Sequence, residues 1–334
     1  MPTIAPATID VIAIGNAIVD VMAPADEASI ERLGLNKGGM TLVDTSRAKE
    51  LYDAMGPAKE ISGGSAANTL AGLAALGVSC GFIGQVADDQ LGEVFAHDIR
   101  AGGIAFDTPA RSDDPPTARC LIFVTPDGQR TMNTFLGASQ FLPATALDET
   151  AIAAAKILYL EGYLWDPEEP RAAMRRAIDA ARGGGAKVAF TLSDAFVISR
   201  HGDDFRTLID TGQIDILFAN HVELAALTGL DDFEAGLAAL APKVPVLVVT
   251  CGAEGAVALS AGDRARVPAE PIAKVIDTTG AGDLFAAGFL AGHVAGKDLE
   301  TCLTMGAVAA AEIISHYGAW PEADLKALVA VRLG

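Results

Sequence analysis

A regular alternation of apolar strands and helices in the second half of the chain limits the possible folds most strongly. From Ile157 onward, the strand-like runs ILYLEG, KVAFTLS, IDILFAN and VPVLVVT are separated by segments with helical periodicity. Strands spaced by helices form a mostly parallel sheet that is covered on both faces. Such sheets bind ligands at the carboxyl ends of their strands. We therefore expect an α/β fold, a three-layer α/β/α sandwich with its site at that edge.

A hairpin pattern interrupts the alternation earlier in the chain. Residues 117–125 and 130–135 are predicted to be strands, and the Pro-Asp-Gly-Gln between them is a typical hairpin turn. An extended hairpin within a βα sequence is typical of a lid on an α/β core. We expect one domain over residues 1–334, with a small β lid built from insertions at about 16–45 and 105–137.

Composition limits the class of ligand. The chain has 334 residues, 51% of them apolar, and a formal net charge of −19, so it predicts a compact protein that nucleic acid and anionic membranes would repel. No apolar run reaches the length of about 18 residues that spans a bilayer. Neither a P-loop nor a dinucleotide-binding glycine pattern is present. A small-molecule ligand in the cytoplasm fits best, and four scattered cysteines without a Cys-x-x-Cys favour a reducing compartment.

The segment DTTGAGD at residues 277–283 carries the strongest chemical signal. We expect residues 274–276 to end a buried strand, and the glycines then let the backbone turn into a helix. Free N–H groups and the helix dipole would form an anion site there, at Gly280, Ala281 and Gly282. Asp283 is favoured in the ionised state in a first helical turn, as a general base must be. The alternative is that Asp283 only decorates the start of a helix.

Two earlier runs are also rich in glycine and polar residues. GNAIVD follows the first predicted strand and contains Asn16 and Asp20. In GGSAAN, Gly63 and Gly64 predict a tight turn, Ser65 suits a helix N-cap, and Asn68 follows in the helix. Glycines without side chains let a ligand approach the backbone closely. A plain helix start explains Ser65, but it explains neither the paired glycines nor Asn68.

The runs GNAIVD, GGSAAN, FANHVE and DTTGAGD, in this order, resemble the signatures of the ribokinase-like (PfkB) family of carbohydrate and nucleoside kinases. The resemblance implies a ribokinase-like sandwich and ATP-dependent phosphorylation of a primary hydroxyl. It further implies that the amides of residues 280–282 form an anion hole and that Asp283 removes the hydroxyl proton. Other fragments, such as TLSDAF, are most similar to the adenosine kinase branch, which implies the 5′-hydroxyl of adenosine as acceptor and AMP and ADP as products.

The resemblance assigns residues to the acceptor. It implies that the sugar is bound by Asn16, Asp20, Gly63, Gly64, Ser65 and Asn68. An apolar pocket for the purine would comprise Leu42, Met132, Leu136, Tyr163 and Phe196. Core packing is the alternative explanation for such apolar residues. The alternative activity is that of another PfkB sugar kinase, acting on ribose, fructose or a ketodeoxy sugar.

The resemblance also assigns residues to the phosphate donor. It implies that Asn220 and Glu223 hold Mg²⁺, mostly through water. ATP would be bound by Thr250, Gly252, Gly255, Thr278 and Thr279. Arg130 matches an arginine that closes over the phosphates with the lid, the alternative being a salt-bridging surface arginine. Some members hold K⁺ near the loop at residues 316–318.

These expectations describe a monomeric or homodimeric enzyme whose partners are ATP and a small nucleoside or sugar. A catalytically idle nucleoside sensor is the alternative from another class. Such a sensor could dispense with Asp283 and an intact glycine turn, and this chain has both.

Overall fold

The computed structural model describes residues 9–334. Within that range the chain forms fourteen strands: β1 (Val11–Ile14), β2 (Ile18–Pro24), β3 (Met40–Leu42), β4 (Lys59–Gly63), β5 (Cys80–Ile83), β6 (Ile104–Ala105), β7 (Ala118–Val124), β8 (Arg130–Phe135), β9 (Ile157–Glu161), β10 (Lys187–Thr191), β11 (Ile216–Asn220), β12 (Val246–Thr250), β13 (Ala256–Ser260) and β14 (Asp263–Val267).

The same residues form twelve α-helices. They are α1 (Glu27–Arg32), α2 (Thr45–Ala54), α3 (Ser65–Ala75), α4 (Gln90–Ala101), α5 (Glu149–Ala154), α6 (Glu168–Gly184), α7 (Ala195–Asp210), α8 (His221–Thr228), α9 (Phe233–Leu240), α10 (Ala281–Val294), α11 (Leu299–Ile313) and α12 (Leu325–Leu333). Within residues 9–334, every helix is too short or too polar to cross a membrane.

A nine-stranded sheet forms the centre of the fold. Its strand order is β14-β13-β12-β11-β10-β9-β1-β5-β6, and all neighbours from β12 to β6 are parallel. Alternate side chains of its strands enter two separate cores. One core lies under α3, α4, α10 and α11, and the other lies under α6, α7, α8 and α9. The structure therefore confirms the predicted α/β fold with helices on both faces of a mostly parallel sheet.

A second, five-stranded sheet has the order β3-β8-β7-β2-β4. It contains the predicted hairpin, in which β7 and β8 pair antiparallel. The chain enters this small sheet directly from β1 and leaves it through β4, which leads into α3. Strand β4 lies outside the segments 16–45 and 105–137 from which we expected a lid, so the sheet draws on more of the chain than those segments.

The structure corrects the strand expected before DTTGAGD. Residues 274–276 form no strand, and Val275 is 50% exposed. The segment is attached to the end of α11 instead, because the N–H of Ile276 donates to the carbonyl of Ile314 at 2.8 Å. The edge of the large sheet is the antiparallel hairpin of β13 and β14, which the sequence analysis did not identify.

Candidate active site

The carboxylate of Asp283 lies where two distant parts of the chain meet. Gly280 is the N-cap of α10 with φ +77°, and Asp283 is in the first turn. The carboxylate accepts hydrogen bonds from the Ser65 hydroxyl at 2.6 Å and from the Asn68 side-chain amide at 3.0 Å. The start of α10 and the start of α3 therefore form one site, although more than 200 residues separate them.

Ser65 differs from its predicted role. It is the first residue of α3 rather than its N-cap, which is Gly64 with φ +100° and no capping side chain. The hydroxyl of Ser65 is thereby available to bind Asp283. A left-handed backbone at Gly64 explains why glycine is needed there.

The amides at the start of α10 are mostly free. Among the hydrogen bonds of residues 9–334, the N–H groups of Gly280 and Gly282 have no protein acceptor, whereas the N–H of Ala281 donates to the Thr278 carbonyl at 3.2 Å. Two of the three predicted anion-binding amides are therefore unpartnered. A Cβ at Gly282 would meet no atom within 4 Å, so the space above this turn is open. The turn has the charge and the room to accept an anion.

Opposing effects act on the Asp283 carboxyl. Burial raises its pKa above the ordinary aspartate value, while the hydrogen bonds from Ser65 and Asn68 act in the opposite direction. A general base is improved by a pKa that moves toward neutral pH, provided that its ionised form is still populated. The two donors orient the carboxylate and stabilise its charge.

Asp20 lies on β2 beside the paired glycines. A Cβ at Gly63 would come within 2.9 Å of the Asp20 carboxyl, and one at Gly64 within 2.2 Å of the Asn16 carbonyl. Glycine is therefore required at positions 63 and 64, where the backbone packs against the Asp20 carboxyl and the Asn16 carbonyl. Burial raises the pKa of Asp20 to about 6, the charges of Asp277 and Asp283 raise it further, and Arg130 lowers it. The charge of Asp283 thus acts on Asp20.

Asn16 is held from two sides inside the protein. It is 4% exposed, its side-chain oxygen accepts from the Ser139 hydroxyl at 2.8 Å, and its side-chain nitrogen donates to Glu161 at 2.5 Å. The oxygen and the nitrogen of the Asn16 side chain, which was predicted to bind the sugar, are thus both hydrogen-bonded to protein. The sequence analysis missed Glu161 and Ser139, although a carboxylate that ends the apolar run ILYLE was a visible signal for Glu161.

Arg130 joins the small sheet to the DTTGAGD segment. Its guanidinium forms an ion pair with Asp277 and donates to the Thr279 hydroxyl at 3.1 Å. Arg130 is 8% exposed and Asp277 is 7% exposed, so the pair is buried, unlike the surface salt bridge considered as the alternative. The Nε and Nη2 atoms of Arg130 have no partner among the described residues. Both nitrogens are buried, so these donors lie inside the protein rather than on an open surface of the site.

Asn220 and Glu223 form a capping box at the start of α8. The Asn220 side chain accepts from the Glu223 N–H at 2.8 Å, and the Glu223 carboxylate accepts from the side chain of Asn220 at 2.7 Å and from its backbone at 3.0 Å. Glu223 is 6% exposed, and burial raises its pKa to about 7. No cluster of three or more metal-binding side chains occurs in residues 9–334. One carboxylate with spare lone pairs fits Mg²⁺, which retains most of its water and binds phosphate.

The other predicted ATP residues occupy different environments. Thr250 ends β12 and is partly buried, and Thr278 is exposed. Gly252 has φ +57° and open space at its Cβ position. A Cβ at Gly255 would lie 2.0 Å from the Val267 carbonyl, so this glycine is required by the neighbouring strand β14. Packing against β14 therefore explains the glycine at position 255 without any role in nucleotide binding.

Three of the apolar residues predicted to bind a purine are exposed. The exposed fractions are 57% for Leu42, 39% for Tyr163 and 75% for Phe196, so core packing does not account for them. Met132 and Leu136 are partly buried on and after β8. Burial of its hydroxyl, followed by the charges of Asp194, Asp283 and Glu223, raises the pKa of Tyr163. The charges of Asp283 and of the predicted metal residue Glu223 therefore both act on this side chain.

Comparison with known proteins identifies the family. The model of the pfkB family carbohydrate kinases matches residues 39–324. A crystal structure of adenosine kinase from Sinorhizobium meliloti is 46% identical, with a TM-score of 0.89 over 98% of this chain and 99% of that one. A probable sugar kinase from Rhizobium etli is 43% identical, with a TM-score of 0.91 over 97% of this chain and 98% of that one. A fructokinase from Klebsiella pneumoniae is 30% identical over 78% of this chain and 89% of its own length. The chain therefore belongs to the pfkB family of kinases, which phosphorylate small molecules with ATP, generally together with Mg²⁺.

Proposed function

We propose that this kinase phosphorylates the 5′-hydroxyl of adenosine with ATP, giving AMP and ADP. The supporting observation is the position of Asp283. Its carboxylate is held by Ser65 and Asn68, two predicted sugar-binding residues, and it adjoins the free amides of Gly280 and Gly282. A hydroxyl and a phosphoryl group could therefore meet at one carboxylate.

In the proposed reaction, Asp283 accepts the proton of the acceptor hydroxyl. The hydroxyl oxygen forms a bond to the γ-phosphorus of ATP, and the bond from that phosphorus to the β–γ bridging oxygen breaks to release ADP. A positioned general base typically contributes about 10²–10⁴-fold to the rate. Each amide aimed at developing negative charge contributes on the order of 3 kcal/mol. Asp283 and the α10 turn thus supply both functions from adjacent positions.

ATP, the phosphate donor, would lie between the small sheet and the carboxyl ends of β11 and β12. Glu223 and Asn220 would hold Mg²⁺ largely through water, and Mg²⁺ supplies neutralisation of the phosphate charges. Arg130 contacts Thr279 through Nη1, and its buried, unpartnered Nε and Nη2 would have to become accessible to bind phosphate oxygens. An arginine suits this role because its charge is permanent and its donors are rigidly arranged.

Adenosine is proposed as acceptor because of the exposed apolar residues. The Phe196 ring is 75% exposed, and the Arg200 guanidinium lies over it at 5.2 Å from the ring centroid. A supported, exposed aromatic ring suits a purine better than a hydrated hexose. Similarity to the adenosine kinase from S. meliloti supports the same choice.

A sugar is the second candidate acceptor. The relatives include a fructokinase and a probable sugar kinase of comparable similarity. A sugar kinase would use the same Asp283, Asp20 and Asn68 and would leave Phe196 without a ligand.

A cytoplasmic location is part of the proposal. The four cysteines are unpaired thiols, three of them buried, which fits a reducing compartment. The excess of negative charge disfavours nucleic acid and anionic membranes as partners.

An acceptor panel tests the proposal. Adenosine, ribose, fructose and 2-keto-3-deoxygluconate are each incubated with ATP and Mg²⁺, ADP release is followed by a coupled assay, and products are identified by mass spectrometry. We expect the highest kcat/KM with adenosine, AMP as product, and a raised adenosine KM in Phe196→Ala. A higher kcat/KM with any of the sugars would reject adenosine, and no turnover with any acceptor would reject the proposed function.

A further inference from the structure

We propose that Glu161 is a positioning residue for phosphoryl transfer, which fixes the loop after β1 and the first turn of α3 around Asp283. The inference rests on the proposed function, but it concerns a residue that would touch neither the acceptor nor ATP. Glu161 is 0% exposed at the end of β9. Any effect that it has on the reaction must therefore pass through its neighbours.

Glu161 accepts three hydrogen bonds from two separate segments. One carboxylate oxygen accepts from the backbone N–H of Asn16 at 2.7 Å and from the Asn16 side chain at 2.5 Å. The other oxygen accepts from the backbone N–H of Ala66 at 2.8 Å. One buried side chain thus ties the end of β9 to the loop after β1 and to the start of α3.

The surrounding backbone leaves space for this carboxylate. A Cβ at Gly15 would lie 2.7 Å from a Glu161 oxygen and 2.5 Å from the Ala66 Cβ. Glycine is therefore needed at position 15 for Glu161 and Ala66 to approach each other. Each carboxylate oxygen of Glu161 therefore has its own hydrogen-bond donors within a closely packed space.

The contacts lead from Glu161 to the reacting groups in two directions. Ala66 lies between Ser65 and Asn68 in the first turn of α3, and those two side chains hold Asp283. Asn16 lies against Gly64 through its carbonyl, and Gly64 is the N-cap of the same helix. A shift of Glu161 would therefore move the acceptor loop and the donors to Asp283 together. Misplacement of a reacting group by about 1 Å can cost 10²-fold in rate.

The role requires a carboxylate. Each group that faces Glu161 is an N–H donor, so the site needs an acceptor at both oxygens. A glutamine would turn its NH₂ group toward either Asn16 or Ala66, and two donors would then face each other in a buried space. Burial, and to a smaller extent the charge of Asp283, raises the pKa of Glu161 while these three hydrogen bonds lower it, and the net pKa is about 7.

The test compares Glu161→Gln with Asp89→Asn. Asp89 serves as the control because it also accepts three hydrogen bonds, from Gly92 and Thr117, and caps a different helix, α4. Steady-state kinetics are measured well below the melting temperature, with the acceptor that wild type phosphorylates best. We expect Glu161→Gln to lower kcat/KM for the acceptor about 10- to 100-fold and to change the ATP KM less than twofold. Asp89→Asn should leave both constants unchanged. Equal kinetics for the two variants would overturn the proposal.

Ser139→Ala provides a second variant if Glu161→Gln does not fold. It removes the other hydrogen bond on the Asn16 side chain and leaves Glu161 intact. We expect a smaller loss in the same kcat/KM, about threefold to tenfold. A folded Ser139→Ala with wild-type kinetics would contradict the claim that Asn16 must be oriented.

Hydrogen exchange separates this inference from the proposed function. If wild type phosphorylates no acceptor in the panel, the proposed function fails, and exchange still tests the positioning. In Glu161→Gln, or in Ser139→Ala if the former does not fold, peptides containing Asn16 or the first turns of α3 and α10 should exchange faster than in wild type. In Asp89→Asn, the exchange rates of these peptides should equal those of wild type. If these peptides of the variant exchange at the same rate as in wild type, the positioning role is overturned.

Discussion

At the residue scale, we propose that the buried carboxyl of Asp20 controls acceptor binding. Its pKa is raised to about 6, chiefly by burial, so the ionised form, which we propose accepts hydrogen bonds from the acceptor's sugar hydroxyls, is populated at neutral pH and lost in mild acid. The same raised pKa means that ionised Asp20 destabilises the folded state. Its contribution to stability therefore improves as the pH falls from 7 toward the ordinary aspartate range.

We predict that adenosine binding weakens as the pH falls through about 6, because Asp20 becomes protonated. The measurement is isothermal titration calorimetry between pH 5 and 8 on wild type and Asp20→Asn. Because Glu161 and Glu223 titrate at neighbouring pH, the variant isolates the Asp20 contribution. Asp20→Asn should bind weakly with a flatter profile. An identical profile in both proteins would assign the pH dependence to another group.

Individual site residues could be predicted only where a local pattern carries them. The turn at Gly280, the placement of Asp283 in a first helical turn and the close approach of Gly63 and Gly64 follow from sequence motifs. The buried side chains that contact these residues could not be predicted. A pair such as Arg130 and Asp277 is 147 residues apart, and its contact depends on how the two sheets meet. Glu161 was missed for the same reason.

At the element scale, small residues determine how closely the helices pack. α10 lies against both α3 and α11, and a Cβ at Gly288 would come within 2.3 Å of the Met305 carbonyl. A Cβ at Gly72 would come within 2.6 Å of Leu284, so the α3–α10 contact that brings Asn68 to Asp283 also depends on glycine. Gly72 and Gly288 therefore serve packing rather than flexibility.

We predict that Gly288→Ala destabilises the protein by about 1–3 kcal/mol, because the added methyl group meets backbone. Gly183→Ala is the matched control, since it lies in α6 with nothing within 4 Å of its Cβ position. It should stabilise the protein by about 0.5–1 kcal/mol through helix propensity. Urea unfolding gives both values, and a Gly288→Ala protein as stable as wild type would refute the packing argument.

Regular elements were the most predictable part of the fold. The apolar strands β9 to β12 and the hairpin of β7 and β8 were confirmed because their patterns are long and periodic. The short strand β4 was missed, and residues 274–276 were wrongly assigned to a strand although Val275 is half exposed. Apolar character alone does not reveal whether a neighbouring strand is available for pairing.

At the scale of the whole molecule, the buried pair of Arg130 and Asp277 connects the small sheet to the segment that leads into α10. The pair lies beside Thr279, and Asp277 also accepts from the Thr279 N–H at 3.0 Å. A buried charge without its partner is costly, whereas an exposed one is not. The relative position of the two sheets should therefore depend on Arg130.

We predict that Arg130→Ala lowers the free energy of unfolding by about 3–5 kcal/mol, because Asp277 is left buried and unpaired. Arg264→Ala is the control, since it removes a similar ion pair with Glu234 in which both side chains are exposed. That change should cost less than about 1 kcal/mol. Denaturant unfolding measures both, and equal losses would show that the Arg130 pair does not hold the sheets together.

We propose that Asp283 takes the hydroxyl proton during phosphoryl transfer, and a single-turnover experiment on Asp283→Asn measures this role. Enzyme in excess is mixed with radiolabelled ATP, Mg²⁺ and adenosine, and the reaction is quenched at intervals, with binding of both substrates measured separately by calorimetry. We predict that both dissociation constants stay within about threefold of wild type while the rate of AMP formation falls about 10²–10⁴-fold. An AMP formation rate equal to that of wild type would exclude Asp283 as the general base.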